Sequence, residues 1–338
     1  MTNDNLPDFV QFLLDAEAYP HPVSEIKLVQ THISYVLLAG DFVYKMKKPV
    51  DFGFLDFTTL EKRKHFCEQE LILNRRLCPS LYLGLVSINR QGEGFTLDGP
   101  GDAVEYGIKM RRMSEDRMMA NVIAAGELDK KMLDGIVDLL VPFYRQANGG
   151  DEIKEFGTAR AVSVNVLENF AQTESFIGCE ALSRKQFERI GDYARAFLGR
   201  NDLFNGRIAA GRIRDCHGDL YSANICLADQ IYIYDCIEFN QRFRYCDVAS
   251  DVAFLAMDLD YHGLDGLSTY FIDRFKVASG DDDLTEMLDF YKCYRAYVRG
   301  KIGLFTAHAP EVDDNTKKSC LEQARKYFEL AEKYASCK

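Results

Sequence analysis

The sequence predicts an α+β chain of two lobes, a small β-rich N-terminal lobe and a larger, mainly helical C-terminal one. Three observations carry that reading. At 338 residues the chain is long enough for two domains and can bury roughly three quarters of its unfolded surface. Short apolar and alternating runs bounded by turn residues crowd the stretch from Ile26 to Met113, the pattern of strands. Beyond it apolar residues recur mostly at helical spacing, interrupted by one short hairpin pattern, Ile225-Cys226-Leu227 and Ile231 to Tyr234 around Ala-Asp-Gln.

Taken in order, Leu6 to Tyr19 reads as a helix stopped by Pro20 and Pro22. Ile26 to Gln30, Ser34 to Leu38 and Phe42 to Lys47 are strands, the last two joined at Ala39-Gly40-Asp41. Thr58-Thr59-Leu60-Glu61 has capping-box spacing and opens a helix running to about Leu77. On that helix Phe66, Glu70, Leu73 and Leu77 form one stripe. A carboxylate inside an apolar stripe costs several kcal/mol unless a cation meets it. The strand Phe42 to Lys47 offers Lys45 first and Lys47 second, on one face because side chains alternate. Leu81 to Asn89 and Phe95 to Leu97 follow as strands, then Val104 to Met113 after a glycine-rich turn.

In the second part Ser114-Glu115-Asp116 is expected to cap a helix, and Leu128 to Ala147 and Phe187 to Arg200 to form two more. Asp247 is expected to cap a helix through Asp258. Leu284 to Phe305 is tyrosine-rich and helical, with Lys292, Arg295 and Arg299 along one side read as a solvated face. Thr316 to Ala335 closes the chain as a helix of mixed charge.

A net charge of −11 argues against a nucleic-acid partner, which selects a basic surface. No run approaches the eighteen or so apolar residues of a membrane span, and Met1 to Asp15 lacks the basic start and apolar core of a signal peptide. The expectation is a cytoplasmic protein with no membrane partner. Ten cysteines include no CxxC pair, which disfavours a zinc or dithiol site. There is no Walker A sequence.

The chemistry concentrates in Cys216-His217-Gly218-Asp219-Leu220-Tyr221-Ser222-Ala223-Asn224, followed by the hairpin and Asp235. Phosphoryl transfer uses one acid to orient a hydroxyl, then an amide and a second acid to hold Mg²⁺ on a nucleotide. The hairpin would carry Asn224 and Asp235 at its two feet. Mg²⁺ takes a few hard oxygen ligands and keeps waters, so those two plus phosphates suffice.

HGDLxxxN followed by an aliphatic strand ending in Asp resembles the aminoglycoside phosphotransferase family, within the protein-kinase-like fold. Asp247-Val248-Ala249-Ser250-Asp251-Val252-Ala253 is similar to that family's GDPxxDLA segment without its Gly and Pro. The resemblance implies a bilobal protein-kinase-like fold, with residues 1–113 the nucleotide-binding lobe and 114–338 the catalytic and substrate-binding lobe. It implies Asp219 as catalytic base, with His217 in the same catalytic loop, and Asn224 and Asp235 as metal ligands. It implies that Lys45, or Lys47 in its place, fixed by Glu70, meets the phosphates, and that the backbone around Met110, Arg111 and Arg112 meets the base. The turn over the phosphates, Gln30 to Ser34, has no glycine, so either the Thr31 and Ser34 hydroxyls donate instead or the turn is a plain polar loop. Glu238 is near enough in sequence to reach metal or substrate, Asp251 would brace the catalytic loop, and Asp258 and Asp260 would meet a cationic acceptor or water.

The function predicted is a small-molecule kinase moving the γ-phosphoryl of ATP, or GTP, to a hydroxyl with Mg²⁺. Gly218 replaces the Arg of a protein kinase HRD and only eleven residues separate Asp235 from Asp247, so the acceptor is small and no activation loop is expected. The alternative is a non-catalytic nucleotide-binding pseudokinase with a regulatory role.

Overall fold

In the computed structural model residues 6–309 and 312–336 are described. In chain order the elements are α1 (Asp8–Phe12), β1 (Ile26–Gln30), β2 (Ser34–Ala39), β3 (Phe42–Lys47), α2 (Leu60–Asn74), β4 (Tyr82–Gln91), β5 (Gly94–Leu97) and β6 (Asp102–Arg111). Then come α3 (Met119–Ala124), α4 (Lys130–Gln146), α5 (Asp151–Lys154), α6 (Ala159–Thr173), α7 (Arg184–Leu198), α8 (Asn201–Ala209), β7 (Ile213–Asp215), β8 (Ile225–Leu227) and β9 (Ile231–Ile233). The chain closes with α9 (Gln241–Arg244), β10 (Tyr245–Asp247), α10 (Val248–Tyr261), α11 (Asp265–Ser279), α12 (Leu284–Ala307) and α13 (Asp314–Tyr334). Two compact units result, one of residues 1–118 with 226–241, the other of 119–225 with 242–338.

The first unit is an antiparallel six-stranded sheet in the order β1-β2-β3-β6-β4-β5 with α2 against it. One face of the sheet buries Leu37, Tyr44, Met46, Val86 and Ile88 with Leu13 and Tyr19 of the N-terminal segment. The other core joins Cys67 and Leu71 of α2 to Tyr82, Ile108 and Met110, with Tyr232 and Tyr234 packed at its edge. Alternation along β3 therefore sends Tyr44 and Met46 to one side and leaves Lys45 and Lys47 for the side that α2 covers. Because β3 lies between β2 and β6, neither lysine is on an edge strand. The N-terminal helix is shorter than its sequence suggests. It ends at Phe12, and the Asp15 carboxylate accepts from the Glu17 N–H to start a separate 3₁₀ turn over Ala16–Ala18.

The second unit is helical apart from the short β7–β10 pair. Twelve of the fourteen residues of α10 are buried, so it runs through the interior with α11, α12 and α13 packed on it. Phe204, Phe254, Phe271, Phe275, Phe290 and Phe328 fill that core. Asp247 caps α10, its carboxylate accepting from the Ala249 N–H. Ser114 makes no side-chain cap; a 3₁₀ turn over Glu115–Arg117 follows it. Helix α8 has no counterpart in the sequence reading, its polar and glycine residues giving no apolar stripe.

The side of α12 expected to face water does not. Lys292 and Arg295 are buried, the first paired with Asp260 at 2.8 Å and bonded to Ser268 Oγ at 3.0 Å. Periodicity marked the stripe correctly but could not say which side the neighbouring helices cover. Among the described residues no helix is long and apolar enough to cross a membrane.

Candidate functional site

In the first unit the capping hydroxyl of Thr59 accepts from the Lys62 N–H and fixes the phase of α2. That phase sets Glu70 fully inside, 0% exposed. Lys45 Nζ donates to Glu70 Oε1 at 2.9 Å and Lys47 Nζ to Oε2 at 2.8 Å. Each lysine has a second acid. Lys45 reaches Asp235 Oδ1 at 2.6 Å, and Lys47 contacts Glu238 Oε1 while lying over the Phe57 ring. Burial raises the Glu70 carboxyl, but the two lysines more than offset it and bring it down to about 2. Burial works against the Lys45 charge, and Asp235, Glu70 and Glu238 together hold it well above the ordinary lysine value. Burial pushes the Glu238 carboxyl up despite the pull of Lys47.

Asp235 sits two residues beyond β9 with φ of 63°, the left-handed region that a non-glycine residue seldom adopts. Its N–H donates to Tyr82 Oη at 3.3 Å, and the next N–H, of Cys236, donates to Asn74 Oδ1 at 2.9 Å. Asn74 Nδ2 in turn donates to the Glu70 carbonyl at 2.9 Å. One turn of α2 thus carries the acid that pairs with both lysines and the amide that holds the backbone beside Asp235. Asn74 and Tyr82 were missed in the sequence. The available signal was a polar residue one turn beyond Glu70 on a buried face.

The remaining residues assigned to the nucleotide are placed differently from expectation. Thr31 is exposed, but its hydroxyl accepts from the Ile33 and Ser34 N–H groups, closing the turn on itself. Ser34 is 1% exposed and its hydroxyl has no hydrogen-bond partner; a buried strand residue does not present a donor on the loop surface. The Arg111 N–H donates to the Leu81 carbonyl and the Arg112 N–H to that of Asp41. Met110 is buried between Val43 and Tyr82. Because β6 is a central strand, the sheet already uses these donors.

In the second unit the loop after β7 carries His217 to Asn224. Asp251, on the first turn of α10 and 0% exposed, accepts from the His217 N–H at 2.8 Å, the Gly218 N–H at 2.9 Å and Tyr144 Oη at 3.0 Å. Gly218 has φ of 88°, a conformation that favours glycine at this turn. Arg295 of α12 donates from Nη1 to the Gly218 carbonyl at 3.0 Å. His217 is 0% exposed and its Nδ1 accepts from the Asp219 N–H at 3.2 Å. It lies inside the turn, bonded to the backbone of Asp219.

Asn224 Nδ2 donates to the Asp219 carbonyl at 2.9 Å and to Asp219 Oδ2 at 2.8 Å. Both bonds run through the amide nitrogen, and among the described residues the amide oxygen accepts none. Asp258, 2% exposed, accepts from the Ser222 N–H at 3.0 Å and lies 3.9 Å from His262 Nε2. Asp260 is taken by Lys292 and the Tyr334 hydroxyl. Both acids are largely buried and bonded within the second unit. Among the described residues no group of three or more His, Cys, Asp and Glu is arranged to hold a metal ion.

No protein-family profile matches the chain. Uncharacterized proteins of Mycobacterium bovis and Mycobacterium tuberculosis are each 36% identical to it over 293 residues, covering 85% of this chain and 57% of theirs. The chain spans little more than half the length of these curated relatives. Among solved structures, a Ralstonia eutropha protein assigned as an aminoglycoside phosphotransferase superposes over 97% of this chain and 96% of its own, with TM-score 0.50 and 10% identity. A Plasmodium vivax ethanolamine kinase covers 89% and 81% with TM-score 0.48 and 13% identity.

Proposed function

We propose that this chain, whose fold is the protein-kinase-like one of the aminoglycoside phosphotransferases, is a kinase that moves the γ-phosphoryl of ATP or GTP to a hydroxyl of a small molecule. The observation that carries the reading is the pairing within each unit: Lys45 with Glu70 and Asp235, and Asp219 with Asn224.

Asp219 orients the acceptor hydroxyl and takes its proton as the acceptor oxygen bonds to the γ-phosphorus. The bond from that phosphorus to the β–γ bridging oxygen breaks, and the nucleoside diphosphate leaves. Asn224 uses its nitrogen to fix the Asp219 carboxylate and keeps its oxygen for a cation. Lys45, oriented by Glu70, neutralises phosphate oxygens. Asp235 in the first unit and Asn224 in the second each carry a hard oxygen donor that suits Mg²⁺, which if bound would offset the charge of the phosphates. The test is Mg²⁺-dependent consumption of ATP or GTP against a panel of hydroxyl acceptors, with Asp219→Asn as control. Turnover that the substitution leaves near the wild-type rate contradicts the role given to Asp219.

One observation favours a second reading, a nucleotide-binding module without turnover. The β1–β2 turn has no glycine, and Thr31 already accepts from its N–H groups, so the backbone cradle of a glycine-rich loop is lacking there. Nucleotide binding without consumption on any acceptor selects that module.

A further inference from the structure

Helix α12 brings three cations to the catalytic loop's side of the second unit, and two of them are accounted for. Lys292 is paired with Asp260, and Arg295 donates to the Gly218 and Ser250 carbonyls. Arg299, one turn further, is different. No carboxylate lies within ion-pair distance of it among the described residues, and its Nε is buried without a hydrogen-bond partner.

Its guanidinium lies 4.8 Å from the centre of the Tyr221 ring and 5.7 Å from that of Tyr327. Tyr221 stands two residues from Asp219 and stacks on Phe254 at 5.2 Å and 10°, so its ring is a fixed platform. Burial works against the Arg299 charge, and Tyr221, Tyr327 and Asp219 more than restore it. The guanidinium hydrogen-bonds the Tyr327 side chain and feels the Asp219 charge, but with Nε unbonded and no carboxylate ion-paired to it among the described residues it keeps fork donors that match a carboxylate or phosphate in geometry. The acids that would instead recognise an amine are already taken: Asp258 by the Ser222 N–H and Asp260 by Lys292 and Tyr334.

We propose that the acceptor carries an anionic group, a carboxylate or a phosphate, beside the hydroxyl that receives the phosphoryl group, and that Arg299 binds that anion. The inference rests on the kinase reading for the word acceptor, but the anion site stands on Arg299 and Tyr221 alone. Tyr221 packs the body of the acceptor and sets the anion a short reach from Asp219.

The test saturates the whole chain with AMP-PNP and Mg²⁺, then titrates it calorimetrically with inorganic phosphate as anionic probe and ethanolamine as cationic probe. Phosphate is expected to bind, and Arg299→Gln to weaken it by about tenfold or more. Arg299→Lys should fall between, and all three proteins should share one AMP-PNP affinity, which also shows that the variants are folded. Absence of phosphate binding in the wild type, indifference of that binding to Arg299→Gln, or tighter binding of ethanolamine each overturns the proposal. A chain that takes up no AMP-PNP fails the kinase reading instead, and the phosphate titration without nucleotide then decides Arg299 separately.

Discussion

The two units hold their candidate residues by opposite means. Around Glu70 the first unit uses charge against charge: a buried Lys47 and a part-buried Lys45 share one buried carboxylate, and each lysine has a second acid. Around Asp219 the second unit uses side chains against backbone: Asp251 takes two consecutive N–H groups, Arg295 a carbonyl, and Asp258 another N–H. Removing one member of the first arrangement strands a full charge in low dielectric, whereas removing one from the second strands dipoles. The first should therefore be more costly to break, and the second more sensitive in geometry.

Glu70→Ala presses hardest on that contrast. It leaves Lys45 and Lys47 side by side with one acid each, Asp235 and Glu238, and a loss of about 3–5 kcal/mol in unfolding free energy is expected from denaturant titration. Asp251→Ala should cost about 2–4 kcal/mol by the same measurement, because two buried N–H groups and the Tyr144 hydroxyl lose their acceptor. Its turnover should fall further than its nucleotide affinity. A larger stability loss for Asp251→Ala than for Glu70→Ala reverses the comparison.

Asn74→Ala is a finer probe, since it removes only the bonds to the Cys236 N–H and the Glu70 carbonyl. About 1–2 kcal/mol is expected, read as a lower denaturation midpoint. The remaining probe is pH. The Glu70 carboxyl is held down from its ordinary 4.5 to about 2, the two lysines outweighing burial. A depressed carboxyl contributes stability that is fully present above about pH 4.5 and is lost as pH falls towards 2. Acid titrations of wild type and Glu70→Gln should then converge through that window. A gap that stays constant assigns the stabilisation to some other group.

Much of this was readable in the residues, for reasons that differ by unit. Strands β1 to β3 declared themselves by alternation and by Gly40, and Glu70 by standing in an apolar stripe where an unpaired acid is untenable. Asp251 was legible as a brace because it lies one helical turn from the cap Asp247. What was not legible depends on neighbours remote in sequence. Lys292 and Arg295 look solvated in a single helix and are buried because neighbouring helices cover them. Ser34 reads as a loop hydroxyl and is a buried strand residue. The N–H groups of Arg111 and Arg112 look available until β6 is known to lie between β3 and β4. Asn74 and Tyr82 act on a segment some 160 residues later, and no local pattern announces that.

The most direct measurement is a paired one on Asp219→Asn: calorimetric binding of AMP-PNP with Mg²⁺, and phosphoryl transfer to whichever acceptor the wild type uses. The account predicts nucleotide affinity within a few-fold of wild type and transfer reduced by about 10²-fold or more. Transfer that persists undiminished, with the nucleotide equally well bound, contradicts it.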